Sequence, residues 1–178
     1  GKKSAILSHQ DCIFPAFQSE AYEKADWRLD NPCQAVVYEM HVRDLTISPT
    51  SGVDEAYRGT YRGAHQTGTK NAQGDATAFD YIKELGVNVV QLQPVTDRYK
   101  TYDEDGNVLY NWGYDVQNYS APETSYSTKP HDPKTTMREL KEMIHAYHEA
   151  GISVVMDVVY NHIYSTEDGA FQTTVPDY

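Results

Sequence analysis

Asp157, Asn161 and His162 are the residues whose types and spacing most suggest chemistry, because all three fall at the end of one apolar run. The run reads ISVVMDVVYNH over residues 152–162 and is rich in Ile, Val and Met. A short β-branched run with little alternation suits a strand buried on both faces, as in a parallel sheet under helices. The carboxyl end of such a strand is where parallel α/β folds site their chemistry. A carboxylate on a buried strand is costly unless paired. Asp157 is therefore expected to hold an Arg or a backbone amide beneath a site rather than to act as a nucleophile. The neutral imidazole of His162 can donate a hydrogen bond to an uncharged ligand, and Asn161 is placed to orient its neighbours.

A second stretch of interest is YNWGYD at residues 110–115. Tyr114 offers an aromatic face, and Asp115 an acceptor that either meets a ligand or caps the following turn. Trp112 is expected to pack in the core. The chain holds 15 tyrosines against 4 Phe and 2 Trp. A tyrosine joins a flat apolar face to a hydroxyl, which suits a ligand that is both ring-like and hydrogen-bonding, such as a sugar.

The elements that must position these residues can be read in order. Residues 1–34 have poor periodicity and include Pro15 and Pro32, so they read as a lead-in segment on the outside of a domain. Residues 35–42 (AVVYEMHV) read as a first strand, followed by a long Gly-, Thr- and Arg-rich loop. A helix is expected over 76–85, with Phe79, Ile82 and Leu85 on one face and Gly86 as its stop. A second strand follows over 87–93, then a long loop over 95–131. The next helix starts with Asp132 as cap and Pro133 in the first turn, carries Met137, Leu140, Ile144 and Tyr147, and ends at Gly151. The segments 84–90 and 149–155 share one pattern of helix end, glycine and buried strand. Strand, loop, helix, repeated, is the order of right-handed β/α units. Three such strands are too few for a (β/α)8 barrel of roughly 250 residues. The expected architecture is thus an incomplete (β/α)8 TIM barrel, its first three β/α units with long βα loops, over residues 35–178.

Composition excludes some classes. A formal net charge of −11 with no basic cluster disfavours nucleic acid and anionic membrane as partners. No apolar run would span a membrane, and no signal-like segment follows Gly1, which leans toward the cytoplasm over secretion and leaves the compartment unknown. Cys12 and Cys33 lack metal-type spacing and read as two incidental thiols. Arg43 and Asp44 read as an internal ion pair. The acidic run at residues 103–107 reads as a solvated turn, since it lacks the spacing of a calcium loop.

Four stretches, in order, resemble glycoside hydrolase family 13, and within it the pullulanase-type debranching enzymes. VYEMHVRDLT (37–46) is similar to the family's first barrel strand, and GVNVVQLQPV (86–95) to its second. YNWGYD (110–115) resembles the motif of the pullulanase group, with Val116 where that motif usually continues with Pro. DVVYNH (157–162) resembles the family's first signature region, at the end of strand three. The resemblance implies an α-glucan substrate, with Tyr114 beneath a sugar ring, Asp115 and His162 on sugar hydroxyls, and Asp157 and Asn161 in support. It implies no required cofactor; some amylases of the family use the equivalent of Asn161 for calcium, but no oxygen-rich ligand run surrounds it here. It also implies that the nucleophilic Asp and the acid/base Glu lie on later strands, beyond Tyr178, so the remainder of the same enzyme is an expected partner. An isoamylase-like or branching enzyme, and a non-catalytic α-glucan-binding half-barrel, are the other readings of the same residues.

Overall fold

The structure, a computed structural model, describes residues 5–23 and 27–165 together with Glu167 and Val175. The parts of the two expected spans on residues 1–4, 24–26, 166, 168–174 and 176–178 lie outside the described residues. Two single-turn helices, α1 (His9–Cys12) and α2 (Glu20–Glu23), precede the first strand, β1 (Val37–Met40). Next come α3 (Ala78–Leu85), β2 (Val89–Leu92), β3 (Thr96–Arg98), β4 (Val116–Pro122), α4 (Pro133–Glu149) and β5 (Ser153–Met156).

β1, β2 and β5 form a parallel sheet in the order β1-β2-β5. Its register aligns Val37 with Val89 and Ser153, and Met40 with Leu92 and Met156. Side chains alternate across a strand. Tyr38, Met40, Val90, Leu92 and Val154 belong to the core, where they meet Phe79 and Ile82 of α3 and Leu140, Met143 and Tyr147 of α4. The opposite face carries Val37 and Val155, which are 52% and 47% exposed. β5 is therefore not buried on both faces: the helices cover one, and among the described residues the other stays open.

The helix ends follow local chemistry. The Asp132 carboxylate accepts from the Lys134 N–H at 3.1 Å and the Thr135 hydroxyl at 2.7 Å, and Pro133 fits the first turn. Gly151 ends α4 in the left-handed region, at φ 75°. The buried stripe of α4 differs from the apolar pattern. Met143 is buried, Met137 is half-buried, and Glu139 is buried because it accepts from the Ser127 hydroxyl and the Thr128 N–H, both at 2.9 Å. Two satisfied polar contacts turn the helix toward the loop before it.

The described part of the lead-in lies against α4. The Trp27 ring stacks on His148 at 3.9 Å, and the Tyr22 hydroxyl meets His148 Nδ1 at 2.6 Å. Burial, with His145 and Arg28 nearby, pushes the His148 imidazole down to about 4. Cys12 and Cys33 are free thiols.

The segment after β2 is not a structureless loop. β3 and β4 pair antiparallel, Asp97 with Asn118 and Arg98 with Val116, with register shifts on either side of Asp97. The tip continues to a bridge between Tyr102 and Val108, closed by a turn in which Asp103 accepts from the Asp105 and Asn107 N–H groups. Glu123, fully buried, anchors the base. Its carboxylate accepts from the Arg98 N–H at 3.1 Å and the Ser125 N–H at 2.7 Å, and pairs with Lys100 at 3.1 Å. Burial alone would lower the Lys100 ammonium, but Glu123 and Asp97 outweigh it and hold its pKa above the ordinary value.

Candidate functional site

Asp157 is the first residue past β5, and its N–H still donates to Leu92 O of β2 at 3.0 Å. The sheet therefore fixes its position. Its Oδ2 accepts from the Tyr114 hydroxyl at 2.7 Å. A phenol thus takes the place of the Arg or backbone amide expected as its partner. That bond, with burial, pushes the Tyr114 hydroxyl up to about 12, so it stays a donor across the neutral range.

His162 sits on the same loop, and both ring nitrogens are engaged. Nδ1 meets the Asn161 side-chain amide at 2.9 Å, and Nε2 meets Tyr114 O at 3.1 Å. An amide N–H can only donate to Nδ1, and a carbonyl can only accept from Nε2. With the Asn161 amide nitrogen facing Nδ1, the two contacts fit the Nε2–H tautomer. The Asn161 amide thus contacts the ring that follows it, and any group reaching Nε2 must share or displace the Tyr114 carbonyl.

The 110–115 stretch is tied to itself. The Asn111 amide donates to Asp115 Oδ2 at 2.7 Å, and Asn111 Oδ1 accepts from the Gly113 N–H at 2.7 Å. Gly113 has φ 100°, and a Cβ there would lie 2.6 Å from Pro94 O. Only glycine tolerates both the angle and the approach. Gly113→Ala is expected to cost about 1–3 kcal/mol in a urea melt, and an unchanged midpoint would contradict this packing.

Two expectations differ here. Trp112 is 61% exposed rather than in the core, because the turn at Gly113 directs it outward. Arg43 and Asp44 do pair, at 3.4 Å, but at the surface, each about two-fifths exposed. Asp44 also accepts from the Tyr110 hydroxyl at 2.7 Å.

The structure adds residues that the sequence pattern did not single out. Glu39 of β1 lies on the open sheet face, accepts from the Gln91 amide at 3.3 Å, and contributes to raising the Tyr114 pKa. His41 is buried and held below its ordinary pKa by desolvation. Its Nε2 meets the Tyr126 hydroxyl at 2.9 Å and Asn111 O at 3.2 Å. Period-two alternation in VYEMHV was the available signal for both, since it puts Glu39 on the face opposite Met40. Glu39, His41, Asp44, Gln93, Tyr110 and Trp112 line a cleft of about 330 Å³. Among the described residues, no group of three or more His, Cys, Asp or Glu converges as a metal set would. The arrangement offers aromatic faces, carboxylate acceptors and a neutral imidazole donor, a set suited to holding a polyhydroxylated ring.

A family profile for the alpha-amylase catalytic domain matches residues 56–177. Pullulanase of Bacillus subtilis (strain 168) is 43% identical over 148 residues, which is 83% of this chain and 20% of that protein. The chloroplastic isoamylase 3 of Oryza sativa subsp. japonica is 37% identical over 150 residues, 80% of this chain and 18% of that protein. Among solved structures, the pullulanase from Paenibacillus barengoltzii in complex with maltohexaose and alpha-cyclodextrin matches with TM-score 0.83 and 41% identity. That match covers 100% of this chain and 27% of the other. The chain spans about a fifth of the length of the curated relatives it matches.

Proposed function

The chain belongs to the alpha-amylase family, in its pullulanase-type group, and from that premise we propose that it supplies the substrate-binding part of an α-glucan debranching hydrolase. The reaction is cleavage of α-1,6-glucosidic bonds, as in pullulan and limit dextrins, by retaining double displacement. In this reading Tyr114 lies beneath a glucose ring, Asp115 and His162 bind its hydroxyls, and Asp157 and Asn161 hold those groups in place. No metal is assigned a role. The observation that carries the reading is the Tyr114–Asp157 bond with His162 on the Tyr114 carbonyl, which gathers three residues of two family motifs at one strand end. Retaining hydrolysis needs two carboxyl groups roughly 5–5.5 Å apart, one as nucleophile and one as proton donor. Asp157 is committed to Tyr114, so we assign both catalytic carboxylates to sequence outside residues 1–178.

The likeness to isoamylase supports a second reading in the same family. One assay separates the possibilities. The full-length protein is expected to release new reducing ends from pullulan, while residues 1–178 alone release none. Release from amylopectin but not pullulan would favour the isoamylase-like reading. A branching enzyme would transfer chains without raising the count of reducing ends. Turnover by the purified 178-residue chain would overturn the assignment of the missing carboxylates.

A further inference from the structure

The segment that carries His162 is held by the β3–β4 hairpin through three contacts outside the Tyr114–Asp157 pair. The Tyr119 hydroxyl donates to His162 O at 3.0 Å. The Tyr164 N–H donates to Val116 O at 2.9 Å. The Tyr99 and Tyr164 rings stack at 3.8 Å with 10° between their planes. Tyr119 sits beside Ser120, whose φ of 59° lies in the left-handed region. A non-glycine residue in that region costs of order 1–3 kcal/mol and persists only where its surroundings demand it.

We propose that Tyr119 is a positioning residue for the His162 imidazole, so that the hairpin after β2 sets the geometry of a donor delivered by the loop after β5. The physical argument is one of degrees of freedom. Tyr164 registers the loop on β4 downstream of His162, and Asp157 registers it upstream on β2 and Tyr114. Between those two points the His162 peptide is free to tilt unless its carbonyl is held. Tyr119 holds it. With the peptide held, Nδ1 reaches Asn161 and Nε2 reaches Tyr114 O at once, and that double contact selects one tautomer. Released, the ring can satisfy either nitrogen with water, and the preference disappears.

Tyr119→Phe removes one oxygen from a residue that is 39% exposed, so the fold survives the change. Two measurements on the full-length protein test the proposal. Nitrogen-15 NMR of labelled histidines, with His162 assigned by its loss in His162→Gln, reads the tautomer. The unmodified protein is expected to show the Nε2–H form alone, and Tyr119→Phe a mixture or exchange-broadened signals. The kinetic readout rests on the α-glucan reading above. Turnover is expected to fall about fivefold with little change in KM, the loss of one net hydrogen bond felt at the transition state. Tyr160→Phe, whose ring lies 6.0 Å from Tyr119, is expected to change neither readout. A purely structural role would lower the melting temperature and leave the tautomer pure, and that result overturns the proposal. If no α-glucan is turned over, the proposed function fails and the NMR result alone decides the role of Tyr119.

Discussion

Glu123→Ala is expected to cost the fold about 3–5 kcal/mol, the range for removing one partner of a buried ion pair. The Glu123 carboxylate has no contact with solvent, and three donors point at it. Without it the Lys100 ammonium, 18% exposed, keeps Asp97 at 2.9 Å as its one carboxylate among the described residues. The N–H groups of Arg98 and Ser125 lose their acceptor, and each stranded donor costs about 1–3 kcal/mol. Arg98 makes matters worse. It is buried, and among the described residues its Nε and Nη1 have no hydrogen-bond partner. Glu123→Gln keeps an acceptor oxygen and should recover part of the loss. Urea denaturation of the three proteins checks the order, and a Glu123→Ala loss below about 1 kcal/mol would show that the hairpin is anchored elsewhere.

Tyr114 carries the largest expected effect on ligand binding. Its side chain has two separable jobs in the proposed site, a ring face for a sugar and a hydroxyl for Asp157. Tyr114→Phe keeps the face and strands the Asp157 carboxylate, so turnover should fall about tenfold while KM moves little. Tyr114→Ala removes both. It should lose about 1–3 kcal/mol of α-glucan binding, taking aromatic stacking on nucleic-acid bases as an upper guide, together with the turnover lost in Tyr114→Phe. Steady-state kinetics of the full-length variants on pullulan separates the two jobs. If Tyr114→Ala leaves both parameters near the unmodified values, the ring is not the sugar platform.

Helix and strand order was legible because short-range chemistry writes it. Asp132 with Pro133 opens α4 and Gly151 closes it, and the repeated helix end, glycine and apolar run marks β2 and β5. The hairpin was not legible. Its central pair is Asp97 with Asn118, two polar residues flanked by register shifts, so neither alternation nor β-branched content signals it. Only tertiary packing around Glu123 makes those residues a pair of strands. The stripe of α4 was legible at Leu140, Ile144 and Tyr147, but not at Glu139, which hydrogen bonds rather than apolar content bury. At the site, residue identity at a strand end was enough to single out Asp157, Asn161 and His162. That the Tyr114 hydroxyl would be taken up by Asp157 could not be read from spacing. It depends on how the hairpin sits over the sheet, and 43 residues separate the two.

The sheet and the hairpin also differ in how far apart along the chain their partners lie. Val37 meets Val89 and Val89 meets Ser153, separations of roughly 50 and 60 residues, whereas hairpin pairs lie within roughly 30. Loop-closure entropy grows only as the logarithm of length, about 0.6 kcal/mol for each doubling. The long connections therefore cost little once the molecule is folded, and their burden falls on the rate at which partners find each other. β5 is also synthesised after both strands it will join in the sheet. The bond from Tyr114 to Asp157 thus links a hairpin assembled over short separations to a strand that joins the sheet across a long one.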